Sequence, residues 1–467
     1  MSLILAGVLA GCAAVGQDYQ SPEPGVPEGW RGPALPGALD DVVLARWWRS
    51  FDDPVLDGLI RDALAANKDL DAALAALREA RARRDAARAQ LAPTSSASGS
   101  LRHSETSGED GSGRELYSTS LDASWEPDVF GAGRRALEAA EADFDGSLEL
   151  WRDTRVMLVS EVARVYVELR AAERRLDIAQ RNLAAQSELR ELTRWRREAG
   201  LVSELDESRI VTLLEQTRAA MPGLRTAIAA SRYRLDVLLG RPPGSEDARL
   251  RDSGAIPVAD IRVAAGIPAD TLRQRPDVRA AERRLAAQTA RLGEAEAARY
   301  PSVRLTGSIG LEALSAGALF DGGAGTRSLL AGITAPLFDA GRIRSNIEVR
   351  DALVAQARIA WESAVLTALE EVENALISLA NTAQRYERLT LAAASSRRAL
   401  AYARQQYAAG LIDFQTVLDS QRTVLDIEDQ LAASRGEQSI ALIRLYKALG
   451  GGWAMDDPAN MNSETSS

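Results

Sequence analysis

The chain has 467 residues, a formal net charge of −10, one cysteine and one histidine. One cysteine excludes an internal disulfide, and no concentrated basic face points to nucleic acid. With a single histidine, we expect neither a histidine-paired zinc site nor histidine-based catalysis. Hydrophobic residues make up 46% of the chain but aromatic residues only 5%, a mixture typical of long packed helices.

The N-terminal residues 1–11 are almost wholly apolar and end in Leu9-Ala10-Gly11, directly before Cys12. Small residues before a cysteine resemble the lipobox of bacterial lipoproteins, in which the cysteine becomes the acylated first residue. The segment is short and has no Lys or Arg ahead of it, unlike a usual signal peptide. The alternative is a buried cysteine in an apolar helix. We predict a lipid on Cys12 and no other cofactor.

Residues 12–50 are rich in proline and glycine and predict an extended segment, after which Trp47, Trp48 and Phe51 mark the start of packed structure. We divide the chain into a signal segment 1–11, an anchored extended segment 12–50, a first repeat 51–245, an equatorial linker 246–267, a second repeat 268–452 and a disordered tail 453–467.

The division rests on an internal repeat, whose matching points lie 208 to 210 residues apart in the same order. The matches are Pro93 with Pro301, Phe130-Gly131-Ala132-Gly133-Arg134 with Phe338-Asp339-Ala340-Gly341-Arg342, Ala199-Gly200-Leu201 with Ala409-Gly410-Leu411, and Leu239-Gly240 with Leu449-Gly450. Four ordered matches at a nearly constant offset indicate two copies of one unit.

Each copy begins with a helix, predicted over 54–91 and 271–299, and continues with two segments in which apolar and polar residues alternate. Period two predicts strands with one apolar face. The four predicted strands are 97–105, 117–125, 303–311 and 329–335.

A very long helix follows in each copy, predicted over 134–199 and 342–409, where the second contains neither glycine nor proline. Val365, Leu369 and Val372 step by four and three residues, which indicates a coiled-coil seam. At 1.5 Å per residue each helix would reach roughly 100 Å. A glycine then turns the chain, and a shorter helix returns.

The strands are long enough to cross a bilayer as tilted β-structure, but backbone groups in lipid must all be paired. Four strands are too few to close a barrel, since known barrels start at about eight. The chain must therefore pool its strands with copies of itself; two copies give eight strands and three give twelve.

These features resemble the TolC-like outer-membrane factors, most closely the NodT/OprM-type lipoproteins of RND efflux systems, from Cys12 to Trp453. The stretches that carry the resemblance are Trp47-Trp48-Arg49-Ser50-Phe51-Asp52-Asp53-Pro54, Asn67-Lys68-Asp69-Leu70, Trp125-Glu126-Pro127-Asp128-Val129-Phe130-Gly131, Arg275-Pro276-Asp277-Val278-Arg279-Ala280-Ala281-Glu282 and Pro336-Leu337-Phe338-Asp339-Ala340-Gly341.

The resemblance implies a homotrimer in the outer membrane, with a twelve-stranded barrel and a periplasmic helical tunnel. The tunnel would dock on a periplasmic adaptor joined to an inner-membrane transporter, and the duct would be a passive exit path for small molecules. It would not be an enzyme.

The resemblance also implies functional residues at the periplasmic tip. The two turns that would contact the adaptor are Gly200-Leu201 and Gly410-Leu411. The gate would comprise Asp206, its partner Tyr407 and the ring carboxylate Asp419, although these residues also fit a solvent-facing coiled coil. Ile412 and Thr416 depart from the TolC pattern, which has an Arg and an Asp there and thus a more polar gate.

Other polar residues have plainer interpretations. A lone His103 is expected to be a surface residue, and Glu370, Glu371 and Glu373 are expected to form a solvated helix face. No phosphate loop, metal spacing or nucleophile elbow occurs.

Three other classes stay open: a structural coiled-coil lipoprotein, a protein-secretion duct of the same fold and, at a distance, a soluble helical enzyme. The sequence names neither the substrates nor the adaptor and pump.

Overall fold

A computed structural model describes residues 14–23, 25–33, 44–105, 113–245, 248–251, 254–259 and 272–453. Four predictions fall wholly or partly outside these residues. They are the signal segment 1–11 with the lipid site Cys12, part of the extended segment 12–50, much of the linker 246–267, and the tail beyond residue 453.

The order of elements follows the predicted repeat. The first copy contains α1 Pro54–Ala66, α2 Lys68–Ala89, β1 Thr94–Glu105, β2 Gly113–Trp125, α3 Ala132–Glu198 and α4 Glu204–Leu238. The second contains α5 Pro276–Ala297, β3 Ser302–Ala313, β4 Gly325–Thr334, α6 Arg342–Ala408 and α7 Phe414–Ala448. All four strands and both long helices are confirmed within a few residues.

The four strands form one antiparallel sheet in the order β1-β2-β3-β4. The pairings couple odd-numbered residues to odd-numbered residues and even to even, as in Ala97 with Leu121, Leu121 with Ile309, and Ile309 with Arg327. Odd and even positions therefore occupy opposite faces throughout the sheet, as the period-two pattern requires.

The chain folds as two compact units, whose limits do not coincide with those of the repeats. The sheet unit comprises Met1–Glu23, Ala75–Glu149 and Arg279–Ser363. The hairpin unit comprises Pro24–Leu74, Leu150–Val278 and Ala364–Ser467. Each unit takes segments from both copies of the repeat, while the repeat boundaries themselves stay a prediction.

The core of the hairpin unit is a large apolar cluster built from both repeats. Trp47 stacks on Tyr446 with ring centroids 5.0 Å apart, and both side chains are buried. Val162 of α3 and Val372 of α6 are fully buried in the same cluster. The predicted start of packing at Trp47 and the predicted helical seams are thus confirmed.

The helix predicted as continuous over 54–91 is broken at Asn67, so that prediction is wrong. Asn67 is buried; its Oδ1 accepts from the backbone N–H groups of Asp69 and Leu70 and caps α2. Its Nδ2 donates to the carbonyl of Leu238, 2.9 Å away, near the end of α4. Asn67 therefore gives a local capping signal for the break, and the tertiary hydrogen bond to Leu238 holds it in place.

The second repeat has an equivalent break, at Arg275, 208 residues further on. Arg275 is buried, and its guanidinium donates to the carbonyl of Ala448, 2.8 Å away, near the end of α7. The same guanidinium pairs with Asp277 and Glu371, each at 2.7 Å. We call Asn67 and Arg275 the two clasp residues, because each holds the end of a returning helix.

The expected solvated face at Glu370, Glu371 and Glu373 is wrong for two of the three residues. Glu371 pairs with Arg275, and Glu373 accepts from the backbone N–H groups of Arg31 and Gly32 at 2.7 and 2.8 Å. Glu373 thus binds the extended N-terminal segment, which lies more than 300 residues earlier in the sequence. Helix periodicity gives no sign of this contact.

Candidate functional site

The sheet presents an apolar face on its odd-numbered positions. Large side chains there are exposed, including Leu101, Leu121, Ile309, Leu329 and Ile333, at 62 to 86% of their full surface. Exposure of so many large apolar residues on one face is unusual for a surface in water and marks a site of membrane or protein contact.

The opposite face of the sheet is mainly polar, with the exposed Leu330 as an exception. Serine hydroxyls pair across β1 and β2, Ser98 with Ser120 at 2.9 Å and Ser100 with Ser118 at 2.8 Å. The carboxylate of Asp122 accepts from Ser120 at 2.8 Å. A sheet with one apolar and one hydroxyl-lined face suits a boundary between lipid and water.

His103 lies near the β1–β2 loop, where it is half-exposed and 3.4 Å from the carboxylate of Glu105. This confirms the expectation of a surface residue. Across the described part of the chain, no group of three or more His, Cys, Asp or Glu residues is arranged to hold a metal ion.

Among the described residues, no helix combines the length and the apolar character that crossing a membrane requires.

The hairpin tips are two matched turns. At the first tip, Leu201 N–H donates to the Arg196 carbonyl and Gly200 N–H to the Arg197 carbonyl, and Gly200 has φ +73°. These two bonds form a Schellman motif, which needs a left-handed residue and so favours glycine. Gly410 (φ +71°) and Leu411 repeat the motif.

Both tips expose leucine. Leu201 and Leu411 are 73% and 74% exposed, respectively. The predicted tip residues therefore occupy equivalent turns, each with a large apolar side chain directed to the surface.

Helices from both repeats pack together beside the tips. Ile210 and Leu213 of α4 contact Phe414 and Leu418 of α7, and Tyr407 packs against this cluster. A second cluster on α6 and α7 includes Ile412 as a partly buried member. Ile412, which stands where the TolC pattern has an Arg, therefore serves apolar packing here.

The gate candidate Tyr407 lies between helices. Its ring packs against Phe414 with centroids 5.4 Å apart, and the Arg196 guanidinium carbon lies 4.9 Å from its ring centroid. In the described part of the chain its hydroxyl is buried without a hydrogen-bond partner. A buried unpaired hydroxyl is costly.

Asp206 is not hydrogen-bonded to Tyr407 in the described residues. Instead it forms a capping box with Ser203 at the start of α4, with its carboxylate 2.8 Å from the Ser203 hydroxyl. Asp413 plays the matching part at α7, where it accepts from the N–H and hydroxyl of Thr416. Thr416, the second departure from the TolC pattern, thus completes a helix cap.

Asp419 lies on α7 with its side chain 57% exposed. Its two carboxylate oxygens accept from Gln415 Nε2 at 2.9 and 3.0 Å, and Arg422 is 3.7 Å away. The structure therefore does not bring the three gate candidates together within one chain, and the gate stays a prediction.

A buried polar network near the tips was missed by sequence reasoning. Gln421 of α7 is buried; it donates to Asn182 of α3 at 3.2 Å and accepts from Arg404 of α6 at 2.8 Å. The network joins three helices. The only sequence signal for this network is the occurrence of polar residues at seam positions. Such residues fix the register of packed helices at a cost in stability.

The described residues begin at Ala14 and are held to the start of α3. Val15 N–H donates to the Phe130 carbonyl at 3.1 Å. The buried Arg135 guanidinium donates to the carbonyls of Val15 and Gly16 at 3.0 Å and pairs with Asp18 at 2.8 Å. The segment that follows Cys12 is therefore docked beside the end of β2.

An exposed amphipathic sheet joined to paired 67-residue helices defines the class as a TolC-like channel subunit. The solved outer-membrane channel OprN has a similar structure, with a TM-score of 0.86 and 34% identity, over 94% of this chain and all of that one.

Curated relatives point the same way. The toluene efflux pump outer membrane protein TtgF of Pseudomonas putida is 30% identical over 97% of this chain and 96% of its own length. Nodulation protein T of Rhizobium leguminosarum bv. viciae is 32% identical over 97% and 93%, respectively.

The model of the outer membrane efflux protein family matches residues 59–241 and 267–451, once in each repeat. The chain belongs to the outer membrane efflux protein family, and it is an outer-membrane channel component of an efflux system. The predicted family, fold and general function are confirmed.

Proposed function

We propose that three copies of this chain form a passive duct, without catalysis of its own, that carries small molecules out across the outer membrane. The observation that carries the proposal is the sheet: four strands with an apolar and a hydroxyl-lined face, and with both edge strands exposed along their length. Three copies would supply twelve strands, enough to close a barrel. The hydroxyl-lined face would then surround the lumen.

The exposed tips support coupling to a periplasmic adaptor. Leu201 and Leu411 each stand on a turn fixed by two backbone hydrogen bonds, so they present apolar surface without the entropy cost of ordering a loop. Through the adaptor, the duct would meet an inner-membrane RND transporter that supplies the energy.

Lipid on Cys12 would anchor the chain to the outer membrane. The docking of Val15 and Gly16 by Arg135 supports this, because it fixes the segment that follows Cys12 beside the start of α3. The acyl chains would thus enter the membrane beside the end of β2.

The tip would close through Asp206, Tyr407 and Asp419. In a trimer, three copies of the exposed Asp419 form a ring of like charge that would favour cations. The Tyr407 hydroxyl is unpaired, and Asp206 caps a helix instead of binding Tyr407. Both observations support a closed tip that is stabilised in part by apolar contacts around Ile412.

Planar-bilayer recording tests the duct and its gate together. The purified full chain is expected to give discrete channels, and Asp206→Ala combined with Tyr407→Phe is expected to raise single-channel conductance. Asp177→Ala, on α3, is the matched control and should leave conductance unchanged. Absence of channels from the wild-type chain would contradict the duct, whereas channels with unchanged conductance in the double variant would contradict only the gate.

A further inference from the structure

The two repeats end their second strand in the same type of corner, but the chain covers only one of them. The first corner is Val129-Phe130 after β2, and the second is Leu337-Phe338 after β4. Phe130 and Phe338 are 208 residues apart and match in the repeat.

At the first corner, the Phe130 ring stacks on Tyr300 with centroids 5.1 Å apart and an interplanar angle of 19°. Tyr300 lies just before β3, the strand beside β2 in the sheet. Val15 covers the backbone of the same corner through its bond to the Phe130 carbonyl. Phe130 thus rests on the junction between helix and strand that begins the next hairpin.

At the second corner, Leu337 is 96% and Phe338 92% exposed. The corner is nevertheless held in place. Asp339 accepts from the N–H of Gly341 at 3.1 Å and from the N–H of Ile343 at 2.7 Å, and so caps the start of α6. A large aromatic side chain is therefore presented to the surface by an ordered turn.

The order of strands in the sheet explains why Phe130 is covered and Phe338 is exposed. Phe130 has a neighbour because β3 lies beside β2, whereas β4 is an edge strand with no hairpin after it. The other edge strand is β1, which is exposed along its whole length and is preceded by the junction Leu91-Ala92-Pro93. Ala92 is the repeat equivalent of Tyr300, again at an offset of 208.

We propose that Leu337 and Phe338 dock on the junction Leu91-Ala92-Pro93 of a second copy of this chain, as Phe130 docks on Tyr300 within one chain. We call this contact the corner socket. It rests on the proposed oligomeric duct and adds to it a named surface that only assembly covers. Ala92 and Pro93 are exposed, and Leu91 is half-buried with its carbonyl bonded to Trp125 Nε1 at 3.0 Å, so Phe338 and Leu337 would pack on the side chains of this junction.

The odd–even rule of the sheet agrees with the corner socket. Odd positions of β4, such as Leu329 and Ile333, must face the same side as odd positions of β1, such as Leu101, when the two edges pair. If the pairing follows the β2–β3 register, the apolar faces join without interruption and Phe338 lies opposite the junction before β1.

Cysteine cross-linking in the full chain tests the corner socket. The double variant Phe338→Cys with Ala92→Cys is expected to give covalent dimers and trimers on non-reducing gels after brief oxidation. Each single variant is a control for random collision, as is Phe338→Cys with Ser104→Cys, which lies at the far end of β1.

Native gels of the same samples distinguish failure of the corner socket from failure of the oligomeric duct. Oligomers without a cross-link at 338 and 92 would overturn the corner socket and leave the duct intact. Absence of oligomers from the wild-type chain would overturn the duct itself. Cross-linking confined to monomers would also overturn the socket, since it would place both residues in one chain.

Two further variants of Phe338 test whether the cross-linking result reflects misfolding or a contact with lipid. Phe338→Ala is expected to lower the dissociation temperature of the oligomer by several degrees, whereas Phe320→Ala, at an 80% exposed phenylalanine of the β3–β4 loop, should not. In Phe338→Trp, strong fluorescence quenching by brominated lipid would overturn the socket in favour of a membrane contact.

Discussion

The two repeats share one fold, yet they meet the same structural needs with different chemistry. At the clasp, the first repeat uses the neutral amide of Asn67 and the second uses the buried guanidinium of Arg275 with two carboxylates. At the corner, the first repeat covers its phenylalanine and the second exposes it. One corner phenylalanine is covered within the chain and its repeat equivalent is exposed. The exposed phenylalanine therefore indicates a contact that a neighbouring chain supplies.

The largest expected effect is at the charged clasp. Arg275→Ala removes the charged donor to the buried carbonyl of Ala448, at a cost of about 2 to 3 kcal/mol in the free energy of unfolding; the half-exposed Asp277 and Glu371 can be solvated and add little. Thermal melting in detergent, followed by circular dichroism, measures this. Arg388→Ala on the exposed surface of α6 is the control, and equal melting temperatures for both variants would contradict the role of Arg275.

The neutral clasp should cost less. Asn67→Ala loses the cap of α2 and the hydrogen bond to Leu238, for about 1 to 2 kcal/mol. Asn67→Asp sets a buried carboxylate oxygen against the carbonyl of Leu238, so its melting temperature should fall clearly below that of the wild type at pH 7 and recover in part at low pH, where the protonated carboxyl can donate. A loss in Asn67→Ala as large as in Arg275→Ala would remove the distinction between the clasps.

The charged clasp also predicts a pH dependence at Asp153, a half-buried carboxyl on α3. Burial, with a smaller contribution from the charge of Asp277, raises the pKa of Asp153 from 3.8 to about 6. The folded state then holds the proton more tightly than the unfolded state, so this group's contribution to stability is present below about pH 4 and is lost as the pH rises to about 6.

Asp153→Asn removes that titration. At pH 7 the variant should melt at a higher temperature than the wild type, and the difference should shrink as the pH falls to about 4. Melting curves at several pH values measure this, with the exposed Asp71→Asn as the control. Parallel pH profiles for the wild type and Asp153→Asn would rule out this assignment.

Much of the fold follows from local patterns. The strands follow from period two, the long helices from the lack of glycine and proline, and the tips from Gly200 and Gly410, because each of these features depends on neighbouring residues. The repeat then places equivalent elements in the same order.

The sequence does not reveal features that depend on distant partners. Asn67 donates to the carbonyl of Leu238, and Glu373 accepts from Arg31 and Gly32. Arg196 lies over Tyr407 across two helices. None of these contacts has a periodic signal, because the partners are far apart in the sequence and meet only after packing.

Native mass spectrometry of the full chain, extracted from the outer membrane in mild detergent, tests the central claim most directly. The exposed edges of β1 and β4, and the uncovered corner at Phe338, predict an oligomer, and the proposed duct predicts that it contains three chains. A spectrum that contains only single chains would contradict it, because it would show that the sheet needs no neighbouring copy.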